Sequence, residues 1–429
     1  MVCRLLTRAL RAWIFSRASS ALNWSSEAFA VYGTIDDGAI GQPVTTPTDV
    51  IPQFGGFEIG TSSTALQSLT DAVLYLEEYD YQSSDGYASR IMAVAALRDV
   101  LQAFDAAGLP PTAELEQRVA SDLTRLTALQ NDDGGFPFWQ RGRESIPWNS
   151  VQATHALVLA DQAGYVVSAS ALDRALAFLA EIEAYIPTDY PDDIRNTISA
   201  YALYVRNEAG DGDAAKAADL FVDAGDDLGL DALAWIWPSI TDPDLRALVE
   251  LRFANSATET PGGATFPLDY GEGAYLIAHS ERRSDGVILD ALITEQPDSD
   301  LIPKVVSGLL ARQENGRWNN AQENSFILLA MHRYFETFED VDPAFVARAW
   351  LGDTYVASST FQGRTTEQVS TLIPMSEYTQ LTTTDDGSNQ LVVLSKDGEG
   401  RLYYRLGLNY APADLQLDAR DEGFVVERS

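Results

Sequence analysis

The side chains most often used for nucleophilic and metal chemistry are scarce in this sequence. Cys3 is the single cysteine, which excludes an intrachain disulfide, and nothing near it has the spacing of a metal site. The three histidines, His155, His279 and His332, each lie in an apolar context that predicts a helix. Histidines in that setting are typical of hydrogen-bonded core residues. We therefore expect no metal and no other cofactor.

Carboxylates are abundant, but their spacing does not indicate a catalytic site. The close aspartates are Asp132 and Asp133; Asp189, Asp192 and Asp193; and Asp226, Asp227 and Asp231. Such an acidic chain contains close pairs by chance, so we interpret all three clusters as loops and helix caps. Four arginines could pair with specific acids or lie on salt-bridged helix surfaces, and we favour the second: Arg282, Arg283, Arg312 and Arg333.

The charge balance excludes one class of partner. The formal net charge is -34 and the pI is near 4.2, so a polyphosphate would meet a repulsive field. We therefore expect no nucleic-acid partner. With 429 residues, 46% of them hydrophobic, the chain can build large cores, yet it has no apolar run long enough to predict a transmembrane segment.

The spacing of apolar residues changes twice along the chain. Prolines and short extended pieces at 28–32 and 54–59 predict β-structure or loops. Apolar residues then recur every three or four positions, which predicts about a dozen helices joined by short turns. The helical faces cover 91–104, 114–129, 151–163, 171–182, 197–205, 214–222, 244–253, 287–293, 302–311 and 325–335. From 353 onward the pattern predicts β-structure, with residues 395–401 as a hairpin turn and a further strand at 423–426.

A turn pattern repeats within the helical region. Residues 130–136 (QNDDGGF) have a weaker counterpart at 313–318 (QENGRW), where glycine allows a left-handed turn and an aromatic residue folds back under the helix ends. Helical toroids use such turns. Five tryptophans could line a sugar or terpene site, although packing at hairpin ends is the interpretation we favour: Trp139, Trp148, Trp235, Trp237 and Trp318.

Residues 79–90 (YDYQSSDGYASR) resemble the thioester segment of bacterial α2-macroglobulin-like proteins. That segment reads Tyr, any residue, Tyr, Gly, Cys, any residue, Glu, Gln, then two residues and Ser-Arg before a helix. The matching frame is Tyr79, Tyr81, Ser89 and Arg90. However, Gln82 stands for the Gly, Ser83 for the Cys, Asp85 for the Glu and Gly86 for the Gln.

The departures remove the chemistry that the resemblance implies. In the family, the Cys thiol attacks the Gln carboxamide, expels ammonia and leaves an acyl thioester that captures an amine or a hydroxyl. Ser83 has no sulfur and Gly86 has no acyl group, so neither a thioester nor an ester can form between them. We expect no covalent step and no enzymatic activity.

The resemblance extends over about nine-tenths of the chain. It also includes residues 32–59, 129–139, 309–335 and 401–412, in the same order. The fold that it implies is multi-domain, with an all-α toroid flanked by all-β CUB-like and macroglobulin-type β-sandwich segments. The expected domains are an unassigned or mis-called start at 1–26, the end of a macroglobulin-type domain at 27–50, the first CUB-like part at 51–61, the toroid at 62–352, the second CUB-like part at 353–400, and the truncated start of a C-terminal macroglobulin (receptor-binding-like) domain at 401–429.

The resemblance implies the C-terminal fragment of a secreted or periplasmic endopeptidase inhibitor that traps proteases without a covalent bond. Its partners would be proteases, through a bait region upstream, and the other domains of the parent protein. Two alternatives stay open at this stage. One is an α/α-toroid enzyme of terpenoid-cyclase or glycan-active type, although the acidic clusters miss the DxDD and DDxxD spacings that cyclases need. The other is an aromatic-lined binding module.

Overall fold

The computed structural model describes residues 27–413 except 45, 65–68, 80, 104–109, 261–262, 340, 366–367 and 384–389. The expected segment at 1–26 and the expected strand at 423–426 lie outside the described residues. The strands are β1 (Glu27–Ile35), β2 (Gly38–Val44), β3 (Gly56–Ser62), β4 (Thr258–Thr260), β5 (Gly263–Thr265), β6 (Ala344–Leu351), β7 (Thr354–Gln362), β8 (Gln368–Pro374), β9 (Gln390–Glu399) and β10 (Leu402–Tyr410).

The helices fill the interval between β3 and β6, with one more among the later strands. They are α1 (Thr70–Glu77), α2 (Ser84–Ala103), α3 (Thr112–Leu129), α4 (Pro147–Gln162), α5 (Ala169–Ala180), α6 (Ile182–Tyr185), α7 (Asp192–Glu208), α8 (Ala214–Ala224), α9 (Leu230–Ile236), α10 (Pro243–Ser256), α11 (Glu281–Glu295), α12 (Leu301–Ala311), α13 (Ala321–Phe338) and α14 (Met375–Thr382). Short 3₁₀ turns occupy Gly225–Asp227, Trp237–Ser239 and Gly271–Ile277.

The helices form a double-layered ring. In the inner layer α2 contacts α4, and contacts continue through α7, α9, α11 and α13 back to α2. Inner helices such as α4 and α11 are buried on nearly all sides, and the polar residues among those buried, such as Gln152 and Arg283, form hydrogen bonds inside the ring. By contrast, α3 buries a single stripe that includes Leu115, Val119 and Leu126, which places it in the outer layer. The expected α/α toroid is confirmed.

Eight of the strands build a β-sandwich around one core, whereas β4 and β5 pair only with each other. One antiparallel sheet has the order β1-β10-β3-β8, and the other has the order β2-β9-β6-β7. Their inner faces share a cluster of buried side chains that includes Phe57 and Leu406 from the first sheet and Phe345 and Leu394 from the second. In β6 every second residue is buried, as expected for a strand with one face on a core. The toroid is therefore an insertion between β3 and β6 of this sandwich.

Strand pairing corrects the expected domain boundaries. β1 pairs with β10 along its full length, from Glu27 opposite Tyr410 to Ile35 opposite Leu402, and β2 pairs with β9. Boundaries at 50 and 400 would therefore cut through one sandwich. β6 also belongs to the sandwich, so the toroid does not extend to 352. Periodicity in the sequence indicates that a segment is a strand, but it does not indicate which strand lies beside it.

Two local expectations at the C-terminal end were also wrong. Residues 395–401 do not form a hairpin turn, because β9 and β10 lie in different sheets and Gly400 and Arg401 connect those sheets. Likewise, the region from 353 onward is not entirely β, since α14 lies between β8 and β9 and packs Met375 and Tyr378 into the sandwich core. Among the described residues, no helix has both the length and the apolarity needed to cross a membrane.

Candidate functional site

The segment that resembles a thioester site leads into the first turn of α2. Ser83 is 1% exposed, and its hydroxyl oxygen accepts a hydrogen bond from the Gly86 N–H at 3.3 Å. Its carbonyl oxygen accepts the Tyr87 N–H at 2.9 Å. A serine that accepts the N–H three positions further on satisfies an otherwise unpaired donor at the helix start. Ser83 therefore caps α2.

Gly86 has no space for a side chain in this backbone. A Cβ atom built there would lie 2.5 Å from the carbonyl oxygen of Tyr81 and 3.1 Å from the hydroxyl oxygen of Ser83. The first distance is below any ordinary contact, and the neighbour is a backbone atom that cannot rotate away. An acyl-bearing side chain at position 86 would require the loop before α2 to move.

Asp85 has an unusual environment between these two residues. Its Oδ1 atom is buried and accepts no hydrogen bond from the described part of the chain. The charge of Asp85 also reaches Tyr79, whose pKa is raised to about 12, first by burial and then by that charge. An unpaired buried carboxylate oxygen is costly.

The frame residues connect the loop to the surrounding helices. The Nη1 atom of Arg90 donates to the carbonyl oxygen of Tyr79 at 2.5 Å, and its guanidinium binds Asp122 of α3 at 2.7 and 3.1 Å. The rings of Tyr79 and Tyr81 lie 4.9 Å apart, and Tyr81 is 59% exposed. The structure thus brings Tyr79, Tyr81 and Arg90 together around the start of α2.

The first turns of neighbouring inner helices meet beside this loop. The side chain of Asn149 in α4 donates to the hydroxyl of Ser84 at 3.0 Å, and the side chain of Gln152 donates to the hydroxyl of Ser89 at 3.0 Å. Ser89, the fourth frame residue, is fully buried. The first pair joins the first turns of α2 and α4 and the second pair joins their second turns, so these two inner helices run parallel. The loop therefore lies at the end of the ring where both helices begin.

The three histidines contact groups other than this loop. His155 is buried with its Nδ1 atom 2.9 Å from the Tyr201 hydroxyl, and burial, followed by the charge of Arg333, lowers its pKa to about 3. It is a neutral core residue, as expected. His279 does not lie in a helix, which corrects its assignment; it follows a 3₁₀ turn, and its Nε2 atom is 3.1 Å from the Leu268 carbonyl oxygen. His332 lies on α13, 3.4 Å from Glu336.

The ring of helices contains a buried ion pair that the sequence did not predict. Arg283 and Asp231 are each 0% exposed, and a guanidinium nitrogen of Arg283 donates to Asp231 at 3.0 Å. Asp231 also accepts hydrogen bonds from Tyr270 at 2.5 Å and Ser284 at 2.9 Å. Asp231 is therefore not part of a loop or cap cluster, and Arg283 is not on a helix surface. The apolar run LGLDALAWIW around Asp231 was the available signal, since an acid inside such a run needs a buried partner.

The other residues considered in the sequence have ordinary structural roles. Asp133 accepts from the Gly135 N–H at 2.9 Å, Gly134 has a φ of +93°, and Phe136 is fully buried, which confirms the expected aromatic turn. Four of the five tryptophans are core residues, whereas Trp139 is 56% exposed. Within the described ranges, no group of three or more His, Cys, Asp or Glu side chains is placed to hold a metal ion.

Two known proteins align with most of this chain. No protein-family profile matches this chain. It is 25% identical to Circularly permutated Ras protein 2 of Dictyostelium discoideum over 93% of this chain and 12% of that protein. It is 23% identical to an alpha-2-macroglobulin homolog of Nostoc sp. over 86% of this chain and 19% of that protein. The chain therefore spans less than a fifth of the length of each relative.

Solved structures show the same fold at low identity. Escherichia coli alpha-2-macroglobulin activated by porcine elastase matches with a TM-score of 0.64 and 16% identity, over 92% of this chain and 33% of that one. The native E. coli protein from domain MG7 to its C-terminus matches with a TM-score of 0.56 and 16% identity, over 90% of this chain and 57% of that one. Salmonella alpha-2-macroglobulin reacted with methylamine matches with a TM-score of 0.57 and 17% identity, over 91% and 24%.

Proposed function

Because this chain is α2-macroglobulin-like in sequence and fold, we propose that it forms the C-terminal part of a protease-trapping protein that holds its target without a covalent bond. The likeness to the Nostoc homolog and to the C-terminal region of the E. coli protein supports the first half of this proposal. The names of two similar structures record activation of E. coli alpha-2-macroglobulin by porcine elastase and by trypsin, so proteases are the partners that we propose. The alternative of a toroid enzyme is not favoured.

The second half rests on the geometry at the start of α2. Ser83 caps the helix and Gly86 has no room for a side chain, so the loop is packed around residues that cannot form an acyl thioester. The toroid would then contribute a wall and an interface to the trap. We further propose that the parent protein acts outside the cytoplasm, in the periplasm or after secretion, where it would meet foreign proteases.

The absence of covalent chemistry is tested by treating the purified chain with methylamine and measuring its intact mass. We expect no change in mass, because Ser83 and Gly86 provide no thioester for the amine to open. Salmonella alpha-2-macroglobulin, whose solved structure was obtained after reaction with methylamine, serves as the positive control under identical conditions. A methylamine adduct on the natural chain at residues 83–86 would contradict the proposal.

Trapping itself is tested with the longer parent protein and active trypsin. We expect trypsin to co-elute with the parent protein, to keep its activity on a small peptide substrate and to lose activity on a large protein substrate. On a denaturing gel the two should separate, since no bond links them. Free trypsin after incubation would refute trapping, and a denaturation-resistant adduct to this chain would refute the non-covalent step.

A further inference from the structure

A cavity lies inside the toroid, away from the loop at Ser83. It has a volume of about 380 Å³ and is lined by the C-terminal halves of four inner helices, including Gln162 of α4, Glu208 of α7, Thr294 of α11 and Glu336 of α13. The start of α2, which Ser83 caps, is at the opposite end of this parallel ring. The cavity volume lies within the range that holds small organic ligands.

Carboxylates outnumber permanently charged cations in the lining. Three carboxylates, those of Glu208, Asp290 and Glu336, share the cavity with the guanidinium of Arg333. Two imidazoles also line it: that of His332, 3.4 Å from Glu336, and that of His155, whose pKa of about 3 keeps it neutral. Arg333 is already committed, because its Nε atom donates to Asp290 at 2.6 Å. The Tyr204 hydroxyl also donates to Asp290, at 3.4 Å. Among the described residues Glu208 forms no ion pair, although the charge of Arg333 acts on it.

The backbone adds to this negative potential. The C-terminal turns of α4, α7, α11 and α13 border the cavity, and helix C-termini carry a partial negative charge that favours cations. The pKa of the Glu208 carboxyl is raised chiefly by burial, with Arg333 lowering it and Asp290 raising it further. A bound cation would offset the cost of keeping this carboxylate charged at neutral pH.

The remaining walls are apolar and aromatic. Trp235 and Phe326 lie at the inner side of the cavity, and Leu159, Val287 and Ala291 complete an apolar surface. Such walls suit a hydrocarbon chain. A cavity with carboxylates at its mouth and aromatic rings at its base matches a molecule with a charged end and an apolar body.

We propose that this cavity binds a small organic cation of the aliphatic amine class, with an ammonium group held by Glu208 and the carbon chain packed against Trp235 and Phe326. The binding is reversible and forms no bond to the protein. It does not depend on the protease-trapping proposal, because it uses the opposite end of the toroid and different residues.

The test is titration calorimetry of the full chain with 1,5-diaminopentane near neutral pH and low salt. Two probes of matched length, uncharged 1,5-pentanediol and dianionic glutarate, define the charge requirement. Two variants perturb the cavity by different means: Glu208→Gln removes the charge with little change in shape, and Leu159→Trp fills the space. Glu144→Gln, an exposed residue in the loop before α4, makes the same charge change elsewhere and is the matched control.

We expect the diamine to bind. Glu208→Gln should weaken the binding about tenfold, because one charge-assisted hydrogen bond is lost. Leu159→Trp should weaken the binding at least as much, because the larger side chain fills the cavity. Glu144→Gln should stay within about twofold. Unchanged circular dichroism must accompany each variant, and if one fails to fold the other still decides. No heat with the diamine at about 10 mM, equal binding of the diol or glutarate, or undiminished binding by a folded cavity variant would overturn the proposal.

Discussion

At position 86 the local backbone, not only the local chemistry, requires glycine. In the interior of an exposed helix, replacing glycine by alanine normally stabilises a protein by up to about 1 kcal/mol. Here a Cβ atom would lie 2.5 Å from the Tyr81 carbonyl oxygen. The loop before α2 and the first turn of α2 therefore leave no space for a side chain at position 86.

We expect Gly86→Ala to destabilise the chain by about 1–3 kcal/mol, because the new methyl group must displace the Tyr81 carbonyl. The measurement is the free energy of unfolding in denaturant. Gly41→Ala is the control, since its nearest contact would be a leucine methyl at 3.7 Å. A stabilised Gly86→Ala variant would show that the loop before α2 is free to move.

A second residue, Asp285, links three elements through one carboxyl group. It accepts the Phe266 N–H at 2.8 Å after β5, lies 3.4 Å from Arg312 after α12 and is itself on α11. Burial chiefly raises its pKa to about 7, while the Phe266 N–H and Arg312 lower it and Glu281 raises it. An acid whose folded pKa is raised binds more protons when folded than when unfolded, so its contribution to stability falls as the pH rises through the folded value.

We therefore expect the chain to lose stability through Asp285 between pH 3.8 and about 7. In Asp285→Asn, which keeps the acceptor for Phe266, the slope of the unfolding free energy against pH should be less negative in this window by up to about 1.4 kcal/mol per pH unit. Asp298→Asn, at an exposed position, should leave the slope unchanged. Identical slopes in the natural chain and Asp285→Asn would refute the assignment.

At the level of elements, the ion pair between Arg283 of α11 and Asp231 of α9 connects two inner helices. The Arg283 guanidinium also lies 4.7 Å from the Trp148 ring of α4, and it donates to the carbonyl oxygens of Ile277 and Ala278. Charges this deeply buried are expensive to leave unpaired. The pair therefore specifies how α4, α9 and α11 meet.

We expect Arg283→Met to cost about 3–5 kcal/mol, because it leaves Asp231 charged and buried. Arg141→Met is the control: its partner Asp132 is 2.7 Å away, and both side chains are exposed, so its loss should cost about 1 kcal/mol or less. The double variant Arg283→Met with Asp231→Leu should recover part of the loss. Equal unfolding free energies for the two single variants would contradict this role.

At the scale of the whole molecule, the toroid and the sandwich are joined by a polar network at the site of insertion. The Tyr403 hydroxyl of β10 donates to the Tyr334 hydroxyl of α13 at 3.1 Å, and the Thr64 hydroxyl after β3 donates to Glu339 at 2.5 Å. Arg401 connects Tyr334 to Asp36, at 3.2 and 2.5 Å. Groups from both ends of the insertion thus meet in one place, which couples the two cores.

A double-mutant cycle between Tyr334→Phe and Tyr403→Phe measures this coupling. We expect an interaction energy of about 0.5–1.5 kcal/mol, as for a buried hydrogen bond between neighbouring groups. We also expect the helix signal and the sandwich signal to unfold together in the natural chain. Strictly additive effects of the two substitutions would show that the network does not couple the domains.

The sequence by itself determined many of the helices and the missing chemistry. Apolar spacing of three to four residues predicted α3, α4 and α13, and the absence of sulfur at Ser83 and of an acyl group at Gly86 excluded a thioester between those two positions. Local information suffices there, because a helix face and a functional group are properties of a short stretch of chain.

Tertiary structure decided which segments share a core and where the charged residues lie. Only pairing showed that β1 and β10, more than 360 residues apart, are neighbours in one sheet. Only packing showed that Asp231 and Arg283 meet in the interior and that Glu208 borders a cavity. These are contacts between distant segments, and their free energy depends on burial and geometry that no local pattern of residues contains.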